Sequence, residues 1–522
     1  MSNVDTSKFG KFRSFIWPIH RSENKKFIPM LLMLSLICFN YNILRGIKDT
    51  MLVTAPSSGA EAIPFAKVWA MLPMAILMTF LFTKLSNKYS REKVFYILLT
   101  IFLGFFFVFT FFLYPFRDAL HPTGFADYLS TILPAGFKGF IALIRNWTYT
   151  AFYVMSELWS AIVMTVLFWG FANEVTSVKE AKRFYALFGV GANITGILSG
   201  QVCIFLSSNI YLPFIPYGTN AWEQSVLYLN LTLIVVGILI AAIFYRLNRT
   251  VIDGSSIPTM ITKKDEPKEK MSLRKNFAFI AKSKYLSCIA VIVVTYHLAI
   301  NLVEIVWKNQ MKQAFPNPSD YNIYMGEVMT AMGIIATITA LFISGFVIRR
   351  FTWTFNALVP PIIMLVTGIG FFSFLLFKDT SAAIAAVTFG TTPLVMSLFF
   401  GSLQNCLARA SKYTLFDATK EISFIPLSAE SKLKGKGAID GVGSRFGKSG
   451  GSIMHQGLLI IFGSLTASVP YIAAIFLGII GVWIAAVTAL GKQFNSLVAH
   501  HEKLSIPDPE KPAPAAEAKA SV

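Results

Sequence analysis

Charged residues are scarce in this sequence. Of its 522 residues, 14% are Asp, Glu, Lys or Arg and 55% are hydrophobic, with 48 phenylalanines among them. A soluble domain carries about a quarter charged residues, so the composition excludes a soluble globular protein. The fold class that it predicts is an all-α polytopic membrane protein, in which each span satisfies its own backbone groups in lipid.

Cysteines and catalytic motifs are also few. Four cysteines lie in apolar stretches without the spacing of metal ligands or of a disulfide framework, and we interpret them as packing residues: Cys38, Cys203, Cys288 and Cys406. The six histidines show no His-Glu-x-x-His spacing, and no ligand set for Mg²⁺ is visible. We therefore expect no bound metal, no cofactor and no enzyme activity.

One stretch approaches a nucleotide-binding loop without completing it. In GVGSRFGKSGG, residues 441–451, the pattern Gly-x-x-x-x-Gly-Lys-Ser/Thr is filled at its last three places, but its first glycine falls on Val442. A P-loop also requires a preceding strand and a soluble α/β domain, and residues 409–443 leave no room for one. The stretch is therefore predicted to begin a membrane helix.

Windows of about 20 apolar residues, the length needed to cross a bilayer, predict twelve spans in two six-helix halves. The predicted spans lie near 28–47, 64–83, 94–116, 147–172, 184–208, 225–245, 286–307, 326–348, 354–377, 381–408, 444–466 and 469–490. The predicted regions are an N-terminal cytoplasmic segment at 1–27, a first half at 28–245, a basic linker at 246–285, a second half at 286–490 and a largely disordered cytoplasmic tail at 491–522.

The net charge of +19 follows the topology of these spans. Lys and Arg are concentrated in the connections at 84–93, 173–183, 246–285, 348–350 and 409–436, whereas the connection near 209–224 has neither. By the positive-inside rule, this alternation places both termini and the linker in the cytoplasm. It also accounts for the positive charge without any nucleic-acid partner.

The two halves have a weak sequence similarity to each other. GVGANITG begins at Gly189 in the fifth span, and GVGSRFGK begins at Gly441 before the eleventh. Two six-helix halves around a central substrate site are typical of transporters of the major facilitator type. A monomer bound only by the lipid bilayer suffices for such an architecture.

Four ionisable residues fall at membrane depth, where each costs at least about 2.5–3.5 kcal/mol and usually marks a pathway or a partner. They are Lys48, Glu157, Glu304 and Lys448. Structural explanations stay open: Lys48 and Glu304 could snorkel to the outer interface, Glu157 could serve an internal salt bridge, and Lys448 could complete a basic loop. Arg45, one helical turn before Lys48, is as well placed to pair with Asp49 as to bind a ligand.

The functional alternative joins these residues into one cavity shared by the two halves. Cations there would neutralise an anionic substrate, and carboxylates would hold the cations when the substrate is absent. The glycine-rich start of the eleventh span, with Arg445 and Lys448, suits phosphate through its free N–H groups. Asn193, in the matching glycine-rich stretch of the fifth span, is a further candidate for substrate binding.

Several stretches resemble the bacterial and plastidic ATP/ADP translocase family. They are IKDTMLVTAPSSGAEAIPFAKVW (47–69), RNWTYTAFYVMSELW (145–159), FWGFANEV (168–175), AKRFYALFGVGAN (181–193), LVEIVWKNQMKQAFP (302–316) and KGKGAIDGVGSRFGKSGG (434–451). The resemblance runs from about residue 12 to the last span. It implies a twelve-span facilitator-type carrier in the inner membrane of a bacterial cell.

The resemblance also implies a substrate and a set of residues. Members exchange ATP for ADP, with phosphate sometimes accompanying ADP, and four charged residues needed for transport match Lys48, Glu157, Glu304 and Lys448. Arg45 or Arg445 would assist in neutralising the phosphates. An aromatic residue such as Tyr185 or Phe188 would stack on adenine.

One motif departs from the family pattern. Members usually read Arg-Asp-Thr-Lys-Asp where this chain has Arg45-Gly46-Ile47-Lys48-Asp49. The missing carboxylate leaves nucleotide preference open, because some members carry GTP, UTP or NAD by exchange or with protons. Proton-coupled import through Glu157 or Glu304 is the first alternative, and a membrane ATPase or nucleotide receptor is a more distant one.

Overall fold

In the computed structural model, the described residues are 17–249, 283–427, 435–436, 439 and 443–505. Within them the chain is helical and has no strand. Its twelve long helices are α1 (Arg21–Thr54), α2 (Ala62–Lys88), α3 (Arg91–Leu113), α4 (Trp147–Val175), α5 (Val178–Leu206), α6 (Ala221–Leu247), α7 (Lys284–Ala314), α8 (Pro318–Phe342), α9 (Trp353–Leu376), α10 (Pro393–Ser423), α11 (Ser444–Phe462) and α12 (Leu465–Ser505).

The predicted all-α membrane fold is confirmed. Ten of these helices are long and apolar enough to cross a bilayer on their own, and α10 joins them if it is counted with the short helix Lys378–Phe389 that precedes it. The helix α11 is shorter, with 19 residues, and its first five residues include two basic ones, Arg445 and Lys448. It still occupies the place of the predicted eleventh span.

Side-chain caps explain where many of the helices begin. A hydroxyl, or an amide oxygen, of the residue before the helix accepts a hydrogen bond from an N–H in the first turn, which would otherwise lack a partner. Six helices start in this way, at Ser177, Asn220, Ser283, Asn317, Thr352 and Thr392. At Ser177 the cap is reciprocal, since Glu180 also accepts from the Ser177 N–H.

The predicted tenth span, 381–408, is wrong in its position. The helix is interrupted at residues 390–392, and the helices before and after the interruption are inclined to each other by 79°. Gly390 ends the first helix in the left-handed conformation, with φ +63°, and Pro393 starts α10. A hydropathy window averages over this break. As a result, α10 runs to Ser423, into the stretch at 409–436 that the loop charge assigned to the cytoplasm.

The boundaries of the terminal regions also differ. The last helix, predicted over 469–490, spans Leu465–Ser505 and so includes the first part of the predicted tail. Residues 1–16 of the N-terminal segment, 250–282 of the linker and 506–522 of the tail lie outside the described residues. Three short helices, Arg117–Leu120, Thr123–Ile132 and Lys138–Arg145, connect α3 with α4.

Two apolar clusters fill the interior of the described part of the chain. In the first half, Phe102 and Trp159 are fully buried and meet edge to face at 5.7 Å. In a second cluster, Trp307, Phe371 and Trp483 of the second half are fully buried, and the same cluster includes Leu52 and Phe65 of the first half. The two halves therefore share part of their apolar packing at the end where α1 finishes and α2 begins.

Glycines bring the halves together along α5 and α8. A Cβ added to Gly200 would lie 2.6 Å from the Gly326 carbonyl oxygen, and one added to Gly333 would lie 2.7 Å from the Ile197 nitrogen. Any side chain at these positions would therefore collide with the backbone of the other helix. The glycine-rich stretch at 189–200 thus allows a direct contact of two backbones.

The contacts between the halves concentrate at one end of the molecule, where α1 and α7 finish and α2 and α8 begin; we call it the closed end. There Lys312 Nζ donates to the Ser58 carbonyl, and Asn209 donates to Asp320 at 2.7 Å. Between α2 and α11, Gln456 Nε2 donates to the Pro64 carbonyl at 2.9 Å. These polar contacts fix the position of the helix ends that carry the site.

Candidate substrate site

Next to the closed end, five helices contribute charged side chains to one cluster inside the protein. Its members are Arg45, Lys48 and Asp49 on α1, Lys67 on α2, Glu157 on α4, Glu304 and Lys308 on α7, and Arg409 on α10. The helices come from both halves. Such a concentration of charge at membrane depth is costly and indicates a functional site.

Lys48 is the centre of the first-half part of the cluster. Its Nζ lies 3.0 Å from Glu157 Oε1 and 2.7 Å from Asp49 Oδ1. The same ammonium lies 4.2 Å from the centre of the Tyr153 ring, a cation–π distance. Lys48 is therefore held by two carboxylates and an aromatic face, and it does not snorkel to the interface.

Glu304 is the centre of the second-half part. Its Oε1 lies 3.1 Å from Lys308 Nζ, one helical turn further along α7, and 3.4 Å from Arg409 on α10. Arg45 approaches the same oxygen at 3.9 Å from α1. Three cations therefore surround this carboxylate, and one of them, Arg45, comes from the other half.

The ion pair that the sequence allowed between Arg45 and Asp49 is not formed. Asp49 Oδ2 instead lies 2.9 Å from Lys308 Nζ, and Arg45 turns towards Glu304. Spacing along one helix could not reveal these partners because they belong to α7. Two of the ion pairs, Asp49 with Lys308 and Arg45 with Glu304, therefore connect the halves directly.

The cluster has an excess of positive charge. Among the described side chains it contains five cations and three carboxylates. Buried cations without enough carboxylates are unfavourable unless another anion joins them. The arrangement is therefore suited to an anionic ligand that carries several charges.

Exposure changes across the cluster. The side chains of Asp49 and Lys308 are 0% and 3% exposed, whereas those of Glu157 and Arg409 are 26% and 23% exposed. A cavity of about 10 Å³ beside Glu304 and Arg409 is large enough for about one water molecule. The cluster is therefore sealed towards the closed end and accessible from the opposite side.

The predicted residues of the eleventh span are placed only through their backbone. The side chains of Arg445 and Lys448 lie outside the described part of the structure. Gly447 packs against Val294 and His297 of α7, and Gly451 packs against Asn301. Position 448 is thus next to α7, between one and three helical turns before Glu304 along that helix.

Asn193 and Tyr185 lie on α5, nearer to its start than the glycine contact at Gly200. Asn193 is half-buried, and its carbonyl oxygen is 3.1 Å from where a Cβ on Gly333 would be, so it lies at the contact between halves. The Tyr185 hydroxyl donates to Asn173 at 2.6 Å, and its ring packs against Phe188. The structure brings neither residue into the ion-pair network, and their predicted contacts with substrate stay predictions.

Four members of the cluster were not predicted from the sequence as part of the site. Lys308 carried a signal, since it follows Glu304 by one helical turn. Lys67 was quoted only as part of a motif, and Asp49 only as a partner of Arg45. Arg409 was excluded because the predicted tenth span ended one residue before it.

The chain is similar to known proteins over nearly its whole length. The family model described as TLC ATP/ADP transporter matches residues 2–494. ADP,ATP carrier protein 1 of Chlamydia muridarum is 46% identical over 504 residues, covering 96% of this chain and 95% of its own. ADP,ATP carrier protein 2, chloroplastic, of Arabidopsis thaliana is 42% identical over 487 residues, covering 93% and 77%.

Solved structures resemble the chain in fold only. The nucleoside transporter NupG has a TM-score of 0.54 at 14% identity, covering 90% of this chain and 100% of its own. The xylose transporter XylE from E. coli has a TM-score of 0.52 at 12% identity, covering 91% and 99%. From the family model and the identities above, the chain belongs to the TLC ATP/ADP transporter family.

Proposed function

We propose that this membrane protein imports ATP in exchange for ADP, by alternating access to the charged cluster. The observation that carries the proposal is the excess of cations over carboxylates in a buried cluster shared by both halves. The polyphosphate of a nucleotide supplies the missing negative charge. Lys48 and Lys448, assisted by Arg45 or Arg445, bind the phosphates, and the base and sugar extend towards Asn193 and Tyr185.

The two carboxylates Glu157 and Glu304 hold the cations in place when no nucleotide is bound. Glu157 pairs with Lys48 at 3.0 Å, and Glu304 pairs with Lys308 at 3.1 Å. Breaking such a buried pair without a replacement anion is strongly unfavourable. Reorientation of the empty carrier is therefore slow, and exchange is favoured over net transport. Phosphate, a smaller anion of the same chemistry, accompanies ADP through the same cluster.

The orientation follows from loop charge. With both termini in the cytoplasm, the closed end faces away from the cytoplasm, and the accessible side of Glu157 and Arg409 faces into it. On this orientation, the carrier is a monomer in a bacterial inner membrane and is open to the cytoplasm. Rocking the halves would open the closed end and seal the cytoplasmic side.

Exchange in liposomes tests the function. Vesicles loaded with ADP and containing the purified protein are expected to accumulate intact labelled ATP, and empty vesicles are expected to accumulate much less. A panel of internal nucleotides then measures selectivity among ATP, GTP, UTP and NAD. Uptake that requires a proton gradient and ignores internal ADP would establish the proton-coupled alternative.

A separate measurement addresses hydrolysis. We propose transport without cleavage, so the purified protein should release no phosphate from ATP while exchange continues. Phosphate release at the rate of ATP consumption, with no labelled nucleotide inside the vesicles, would instead identify a membrane ATPase.

A further inference from the structure

Lys67 differs from the other cations of the cluster in that no described carboxylate lies close to its ammonium. Its side chain is half-buried in α2, and the charged groups whose field acts on it most strongly are Glu304, Lys308, Glu157 and Lys48. Yet among the described residues no carboxylate lies within 4.0 Å of its ammonium. The other four cations of the cluster each have such a partner.

The backbone at Lys67 is unusual as well. Residues Ala66–Met71 form a π-helical segment inside α2. Segments of this kind insert an extra residue into a helical turn and occur frequently at functional sites. The segment contains Lys67 and lies where α2 contacts α11 through Trp69 and Gln456.

Two hydrogen bonds of Gln456 hold the neighbouring helix α11 against α2, one to a residue before Lys67 and one from a residue after it. Gln456 Nε2 donates to the Pro64 carbonyl at 2.9 Å, and Trp69 Nε1 donates to Gln456 Oε1 at 3.1 Å. One turn before Gln456, Ser452 is fully buried, and its hydroxyl has no partner among the described residues. Position 448 lies one turn before Ser452, about 12 Å from Gln456 along the axis of α11.

We propose that Lys67 binds the polyphosphate of the transported nucleotide, between α2 and α11. The proposal rests on the function above and adds a residue to it. Lys48 must give up Glu157 or Asp49 before it can meet a phosphate, whereas Lys67 breaks no ion pair within the described part of the chain. Lys67 is therefore the first cation of this cluster to engage the phosphates, and the orphan Ser452 hydroxyl donates to the same group.

Binding at Lys67 also explains how substrate would loosen the ion pairs. A phosphate beside Lys67 places negative charge near Lys48 and Lys308, which Glu157, Asp49 and Glu304 otherwise neutralise. The cations can then exchange a carboxylate for a phosphate oxygen without a stage in which a buried charge stands alone. The nucleotide thus lowers the cost of moving the halves.

The test compares Lys67→Gln, Lys67→Arg and wild type in ADP-loaded liposomes, with KM for ATP and maximal exchange rate measured separately. Loss of a charged hydrogen bond costs enough to weaken binding about ten- to a hundredfold. We expect that rise in KM for Lys67→Gln together with a smaller fall in the maximal rate, and recovery of most of the affinity by Lys67→Arg. Lys84→Gln, an exposed change of the same charge about 25 Å further along α2, should leave both quantities unchanged.

Other results would overturn the proposal. A KM for Lys67→Gln within twofold of wild type would do so, and so would a lower maximal rate with an unchanged KM. Equal loss in Lys67→Gln and Lys67→Arg would indicate a packing role. If Lys67→Gln cannot be purified folded, Lys67→Met, which keeps the length of the stem, gives the same comparison. Wild-type exchange is measured in parallel, so failure of the proposed function is seen independently of Lys67.

Discussion

Asp49 of α1 and Lys308 of α7 meet at 2.9 Å between Oδ2 and Nζ, with both side chains almost completely buried. This pair joins the halves on the sealed side of the cluster. Each partner also has a second contact, Asp49 with Lys48 and Lys308 with Glu304. Removing one partner therefore weakens the connection between halves without leaving the other partner alone.

We predict that Lys308→Gln makes the carrier leaky. The halves lose one ion pair, so reorientation of the empty carrier becomes easier by about five- to thirtyfold, the factor that 1–2 kcal/mol makes in an equilibrium. The measurement is efflux of labelled ADP from liposomes into nucleotide-free medium. Lys284→Gln, an exposed change on the same helix, is the control, and equal efflux from the two variants would contradict the prediction.

Lys48 and Glu157 should behave as a coupled pair. Lys48→Gln is expected to reduce exchange at least about tenfold because it removes a buried phosphate ligand. Glu157→Gln should cost less, since Lys48 keeps its 2.7 Å contact with Asp49. In a double-mutant cycle the two effects should not add. Additive losses, or an equal loss in the exposed Glu92→Gln, would argue against a shared role.

Arg409 is expected to be essential although loop charge assigned it to the cytoplasm. It lies 3.4 Å from Glu304, and Arg409→Gln leaves that carboxylate with less compensation. Exchange should fall at least about tenfold. Arg350→Gln, which removes the same charge at an exposed position after α8, provides the matched control. Similar exchange rates in the two variants would refute a role for Arg409 in the cluster.

The contact between α5 and α8 should tolerate no side chain. A Cβ at Gly200 would lie 2.6 Å from the Gly326 carbonyl oxygen and 2.3 Å from Thr330 Oγ1. Overpacking of this kind costs about 1–3 kcal/mol, so Gly200→Ala should lower the thermal unfolding midpoint in detergent. Gly478→Ala adds its Cβ to open space and is expected to leave the midpoint unchanged or slightly raised.

Much of the fold could be predicted from composition and hydropathy. Apolar runs longer than a bilayer is thick leave the chain no alternative to helices, and the charges at Lys48, Glu157 and Glu304 were conspicuous against that background. The break at Gly390 was hidden because the residues around it are apolar on both sides. That break moved α10 along the chain, so that the helix contains Arg409.

The partners within the site could not be predicted. Helical spacing relates residues on one helix, whereas the contacts of Asp49 with Lys308 and of Arg45 with Glu304 depend on the packing of α1 against α7. Lys67 gave no signal because a lysine near the start of a predicted span resembles an interfacial residue. The π-helical segment that contains it is a property of the folded chain.

The glycine contact between α5 and α8 has a mechanical consequence. Where Gly200 meets Gly326, backbone lies against backbone, so few side chains have to change rotamer when one helix rolls over the other. The contact can act as a fulcrum that stays in place while the halves tilt. A small rotation about it is magnified with distance, so the ion pairs between α1 and α7 separate while the glycines remain in contact.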